Sequence, residues 1–133
     1  MMEWGLLLLR VVVGLLFAGH AMQKLAGWFG GHGLAGTGGF FESIGIKPGR
    51  TMALLAGLAE LVGGLLFAFG LFTPLAALLI VLTMLMAIVK VHGKNGLWVT
   101  QNGYEFNLVL IVIAVSVALI GPGDYSLDAL WVN

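Results

Sequence analysis

Cysteine is absent from the chain, which excludes disulfides, thiol redox chemistry and iron–sulfur ligation. Charge is scarce as well. Only 9% of the 133 residues are Asp, Glu, Lys or Arg, against roughly 25% in globular chains. The six basic and six acidic residues cancel, so no net field recruits nucleic acid, and nucleic-acid binding is excluded as a function class. So few charges cannot cover the surface of a water-soluble domain of this size. What is abundant is apolar: 60% of the residues are hydrophobic and the mean hydropathy is +1.07. Such a composition belongs to a small integral membrane protein.

Crossing the hydrocarbon core as a helix takes about 20 mostly apolar residues. Four stretches qualify: residues 4–26, 52–71, 75–91 and 104–120. Their continuous Leu, Val, Ile, Ala and Phe runs are too long for buried strands. Residues 27–50 read as a long glycine-rich loop, Phe72-Thr73-Pro74 as a tight turn, and residues 92–103 as a short polar loop. Pro74 suits a helix start, where its missing N–H would have no partner in any case. Arg10 interrupts the first apolar run, no basic segment precedes it and no small-residue cleavage site follows, so a cleavable leader is not expected. Alternating short and long connections predict an all-α fold: an antiparallel four-helix bundle in which residues 1–133 form one transmembrane domain. Lys24, Lys47, Arg50, Lys90 and Lys94 share the side of the two longer loops, while Glu3, Asp124 and Asp128 lie with the termini. The positive-inside rule then puts both longer loops in the cytoplasm of a multi-pass protein of the cell membrane, with the lipid bilayer as its first partner.

A charge near mid-bilayer costs a few kcal/mol even on lenient scales, so it normally faces the bundle interior and has a partner. At 100° per residue, Arg10, Phe17, His20, Ala21 and Lys24 share an arc of roughly 100° on the first helix. On the second, Glu60 is surrounded by Ala53, Ala56, Gly57, Gly63 and Gly64 within about 120°. Small residues let backbones approach, so this is the packed face and Glu60 points inward with it. By helical rise Glu60 sits near the midplane and Arg10 about 7 Å toward the termini side. A buried Arg10–Glu60 ion pair is expected, whether it does chemistry or only clamps helix register. On the other side His20, Lys24, Lys90 and Glu105, all roughly 7–14 Å from the midplane, form a candidate polar pocket beneath the glycine-rich segment. Lys24 and Lys90 at helix ends also fit simple snorkelling to headgroups. His92, about 160° from Lys90 on a continued helix, is expected to leave the cluster and cap the helix end. No group of residues offers the three or four ligands of a metal site, and no surrounding pattern supports haem.

Gly31-His32-Gly33-Leu34-Ala35-Gly36 matches G-x-G-x-x-G, but a membrane helix precedes it rather than a strand, and a chain with 21 glycines produces such matches by chance. A flexible or re-entrant cover over the bundle mouth is expected instead, with one interfacial turn at residues 40–44. Trp28 and Trp98 suit an aromatic belt on that side, and Trp4 and Trp131 on the other. Residues 126–131 read as a short capped helix on the surface.

Arg10 followed by Gly14-Leu15-Leu16-Phe17-Ala18-Gly19-His20 and then Lys24-Leu25 resembles the first helix of the DoxX family of small four-helix membrane proteins. Residues 59–66 (AELVGGLL), Gly70-Leu71-Phe72-Thr73-Pro74, Gly103-Tyr104-Glu105 and the tail GPGDYSLD at 121–128 fit the same pattern. The resemblance spans nearly the whole chain. It implies a link to the membrane subunits associated with thiosulfate:quinone oxidoreductase and to members named as oxidoreductases. It carries Arg10, His20, Lys24, Glu60 and Glu105 as matched polar positions without assigning any of them a role.

Three functions remain open at this point. One is a redox-linked accessory subunit that holds a quinone head group in the His20/Lys24/Lys90/Glu105 pocket and takes its electrons from another membrane or oxidoreductase subunit. The second is a non-enzymatic scaffold or assembly factor whose small-residue faces dock a different membrane protein or a second copy. The third is a carrier for a small solute, for which four short helices leave little room.

Overall fold

The computed structural model describes the backbone of residues 1–132 and the side chains of residues 1–130; Trp131, expected in the aromatic belt, lies outside the described side chains. The fold is all-helical. Helix α1 spans Met2–Leu25, α2 Gly33–Ser43, α3 Gly49–Phe69, α4 Thr73–Ala87, α5 Glu105–Ile120 and α6 Leu127–Val132. Three helical segments are long and apolar enough to cross a membrane: Met2–Leu25, Gly49–Phe69, and Thr73–Asn95, which continues α4 through a widened turn at Ile88–His92. Helix α5 is equally apolar but only 16 residues long, about 24 Å of rise.

The distribution of side chains is the reverse of a soluble protein's. Arg10 and Glu60 are among the most buried residues, at 0% and 1% exposure, while Leu8, Leu16, Phe69, Val89 and Leu119 lie in the open. Only a solvent as apolar as leucine tolerates that outer surface, and the chain is a multi-pass membrane protein. The core lies among α1, α3, α4 and α5, with Phe17, Phe67, Ile80 and Val117 at its centre.

Helices α1 and α3 make the tightest contact. A methyl group placed on Gly14 would meet the Gly64 carbonyl at 2.5 Å and the Ala68 nitrogen at 2.6 Å; one on Gly64 would meet the Gly14 carbonyl at 2.7 Å. Backbone therefore lies directly on backbone, which is what small residues permit between membrane helices. Gly14 faces Ala68 while Leu25 faces Gly57, so the two helices run in opposite senses. Helix α4 packs on α3, and α5 on α4.

The expected glycine-rich loop is largely structured. A tight turn at Trp28–Gly30 leads into α2, which lies against α1 and α3. The glycines of this segment mediate close packing: a methyl group on Gly38 would meet the Arg50 backbone at 2.8 Å. Composition alone reads as a flexible loop because glycine disfavours an isolated helix by about 1 kcal/mol, and tertiary contact overrides that cost here.

Candidate functional site

Two charge centres lie along the α1–α3 seam, separated by about 21 Å, the rise over the fourteen residues from Arg10 to Lys24. At the end near the chain termini, the Arg10 guanidinium donates through Nη2 to the Tyr125 carbonyl at 2.6 Å and through Nη1 to the Ala68 carbonyl at 3.4 Å. Asp128, whose charge acts on Arg10, accepts hydrogen bonds from the Phe72 N–H at 2.7 Å, the Thr73 N–H at 2.9 Å and the Thr73 hydroxyl at 2.6 Å. These are the free N–H groups at the start of α4, which has no cap of its own. The tail supplies one from 55 residues away. Burial pushes the Asp128 carboxyl up, but the Thr73 and Phe72 hydrogen bonds and the Arg10 charge outweigh it and hold the group below its ordinary value. Gly70 closes α3 in a left-handed conformation, with the Leu71 N–H donating to the Leu66 carbonyl at 2.9 Å. Glu3 accepts from the Asp124 N–H, and Trp4 stacks at a tilt on Tyr125, so the two ends of the described chain meet here.

At the other end, Glu60 forms its ion pair with Lys24. The expected Arg10–Glu60 pair is not formed, and the reason is register. Arg10 stands level with Ala68, about 12 Å along α3 from Glu60, whereas the Leu25–Gly57 contact brings the last turn of α1 level with Glu60. The Ala68 and Tyr125 carbonyls take up the guanidinium instead, and the charge of Asp128 acts on it from beyond ion-pair distance.

The Lys24–Glu60 pair forms part of the wall of a cavity of about 630 Å³ enclosed by the end of α1, α2, α3 and α4. Its polar lining includes Lys24, Glu60, Thr83, Lys90, His32 and His92, and its apolar walls include Phe40, Phe41, Met52, Leu82 and Met86. Size and character match sites for small molecules, which are commonly 300–1,000 Å³ and mostly apolar with a few placed polar groups. Of the expected pocket residues, the structure brings Lys24 and Lys90 to this cavity and leaves two outside. His20 is exposed and is not part of the wall. Glu105 accepts a hydrogen bond from the Val99 N–H at 3.0 Å and fastens the 93–104 connection. Depth along a helix predicted both poorly, because residues level with one another still face different ways. His92, expected to leave the cluster, lines the cavity while its Nδ1–H donates to the Asn102 carbonyl at 2.9 Å. The extrapolation assumed a straight helix, whereas the turn widens at Ile88 and tightens at Gly93. Asp128 carried one signal in the sequence, a carboxylate near the capped tail helix, but nothing there linked it to the start of α4.

A family model described as DoxX matches residues 5–93, more than half of the chain. The chain belongs to the DoxX family. Among its DoxX-type relatives it is similar to a Bacillus subtilis protein named "Putative oxidoreductase CatD", 36% identical over 126 residues that cover 95% of this chain and 86% of the relative. It is 32% identical to the uncharacterized membrane protein Rv3486 of Mycobacterium tuberculosis, over 90% of this chain and 77% of that one. It is 30% identical to the inner membrane protein YphA of Escherichia coli, over 92% and 87% of the two chains. No solved structure matches it.

Proposed function

We propose that this DoxX protein is a cell-membrane component with a redox-linked role, an accessory subunit that binds a quinone or quinol in the cavity beside Lys24 and Glu60. In this reading residues 1–133 form a single transmembrane unit, an antiparallel four-helix bundle with α5 as the short fourth span. Both longer connections then face the cytoplasm. The observation that carries the reading is an ion pair set in the wall of a mostly apolar cavity.

Glu60 uses one carboxylate oxygen for Lys24, and the other accepts no hydrogen bond among the described residues. Lys24 retains N–H groups beyond the one given to Glu60. A quinone carbonyl is a pure acceptor and suits Lys24; a quinol hydroxyl is a donor and suits the free oxygen of Glu60. The pair thus provides a partner for each redox state and a place to leave or collect a proton. With no cysteine in the chain, the electrons come from an associated oxidoreductase. A "Putative oxidoreductase" name on a relative that aligns over nearly the whole chain supports a redox context.

Two other readings have weaker support. The small residues a docking scaffold would present, Gly14, Gly57 and Gly64, are already packed inside the α1–α3 seam. A carrier needs a polar route, yet fully buried Phe17 lies on the same face of α1 midway between Arg10 and Lys24, with buried Phe67 nearby.

The test is titration of the purified chain with a short-tailed neutral quinone and, under reducing conditions, with its quinol, followed by thermal shift and native mass spectrometry. The wild type is expected to bind one molecule and melt several degrees higher. Glu60→Gln is expected to weaken quinol binding about tenfold, the value of one lost hydrogen bond to a charged group. Absence of any bound quinone or quinol, or an unchanged quinol affinity in Glu60→Gln, would remove the proposed site.

A further inference from the structure

The carboxylates of the chain are almost all occupied away from the cavity. Glu3 holds the Asp124 N–H, Glu42 accepts from the Gly49 N–H at 3.0 Å, Glu105 holds Val99, and Asp128 caps α4. Among the cavity-lining residues Glu60 is the one carboxylate, and Lys24 already neutralises it. Lys90 also lines the cavity, is exposed, and has no anionic partner among the described residues. His32 and His92 lie in the same wall. Lys90, on the widened turn that continues α4, stands about 10 Å along the helix from Thr83, so a cation with no carboxylate partner among the described residues lines a chamber whose walls are mostly apolar. A lone cation beside low-dielectric walls focuses its field into the opening.

We propose that the cavity accepts an amphiphile with an ionised acidic head on an apolar body, and that Lys90 anchors the head while Phe40, Leu82 and Met86 contact the body. The inference rests on the reading of the cavity as a ligand site and not on the ligand being a quinone. An acidic head gains a charge-assisted hydrogen bond at Lys90 that a neutral one forgoes. The three methionines in the lining, Met52, Met84 and Met86, adapt to bodies of differing shape.

The experiment compares palmitate, its uncharged methyl ester and a neutral short-tailed quinone on the purified full chain in a neutral detergent. Bound probe is counted by native mass spectrometry and melting temperatures are recorded. Palmitate is expected to bind at least tenfold tighter than the ester. In Lys90→Gln that difference disappears, while the melting temperature without probe stays as in the wild type. Equal binding of acid and ester overturns the proposal, and so does an acid preference that survives Lys90→Gln, as simple snorkelling of Lys90 to headgroups would give. Quinone binding without palmitate binding sinks this inference and leaves the quinone reading standing; palmitate binding without quinone binding does the opposite.

Discussion

Lys24 and Glu60 differ in how far they are withdrawn from their surroundings. The Glu60 side chain is 1% exposed, and that of Lys24 29%. Removing one partner of a buried pair costs about 3–5 kcal/mol because the other charge is left stranded, and the stranding is worse for the partner that cannot reach water. Lys24→Met is therefore expected to lower stability by about 3 kcal/mol and Glu60→Gln by about 1 kcal/mol, since the ammonium left behind is rehydrated through the cavity. Chemical or thermal unfolding in one detergent checks the order; equal losses would mean that the pair is not embedded as described. The identity of this pair was only half legible in the sequence. Helical phase put Arg10, Lys24 and Glu60 on inward faces, because the cost of a charge in lipid leaves no alternative. Which cation meets the carboxylate depends on a shift of a few residues between α1 and α3, and that shift is set by Gly14 against Gly64, a contact that side-chain periodicity does not encode.

Glycine has opposite consequences in different helices. Gly14 and Gly64 touch backbone on both sides, whereas an added methyl group at Gly39 in α2 would meet nothing within 4 Å. Gly64→Ala is expected to force α1 and α3 apart and to destabilise the protein by about 2–3 kcal/mol, the upper part of the usual range for overpacking. Gly39→Ala is expected to raise stability by up to about 1 kcal/mol through helix propensity alone. Paired melting curves decide this, and a tolerated Gly64→Ala would contradict the backbone contact. The long apolar helices were plain in the sequence, because bilayer thickness dictates their length. Helix α2 was not, since its stability comes from the start of α3 beneath it and its own residues argue against helix.

At the scale of the whole molecule, the tail acts as a latch. Residues 121–128 cross the end of the bundle so that Asp128 reaches α4 and the Tyr125 carbonyl reaches Arg10. A carboxyl held below its ordinary value of about 4 stabilises the folded state fully above that pH and loses its contribution as the pH falls through the lowered folded value. Asp128→Asn is expected to cost about 2 kcal/mol at neutral pH and to flatten the acid limb of the stability curve below pH ~4. Unfolding measured between pH 7 and the acid limit tests both, and an acid limb identical to the wild type's would place the latch elsewhere. This long-range closure was invisible in the sequence, where Asp128 looked like part of a surface helix. Both interior cations share a consequence for the protein's electrical behaviour. Each feels a carboxylate's charge, Lys24 in an ion pair with Glu60 and Arg10 at longer range from Asp128, so each centre presents little net charge for the transmembrane voltage to pull on. Neither of these two centres is therefore expected to act as a voltage sensor.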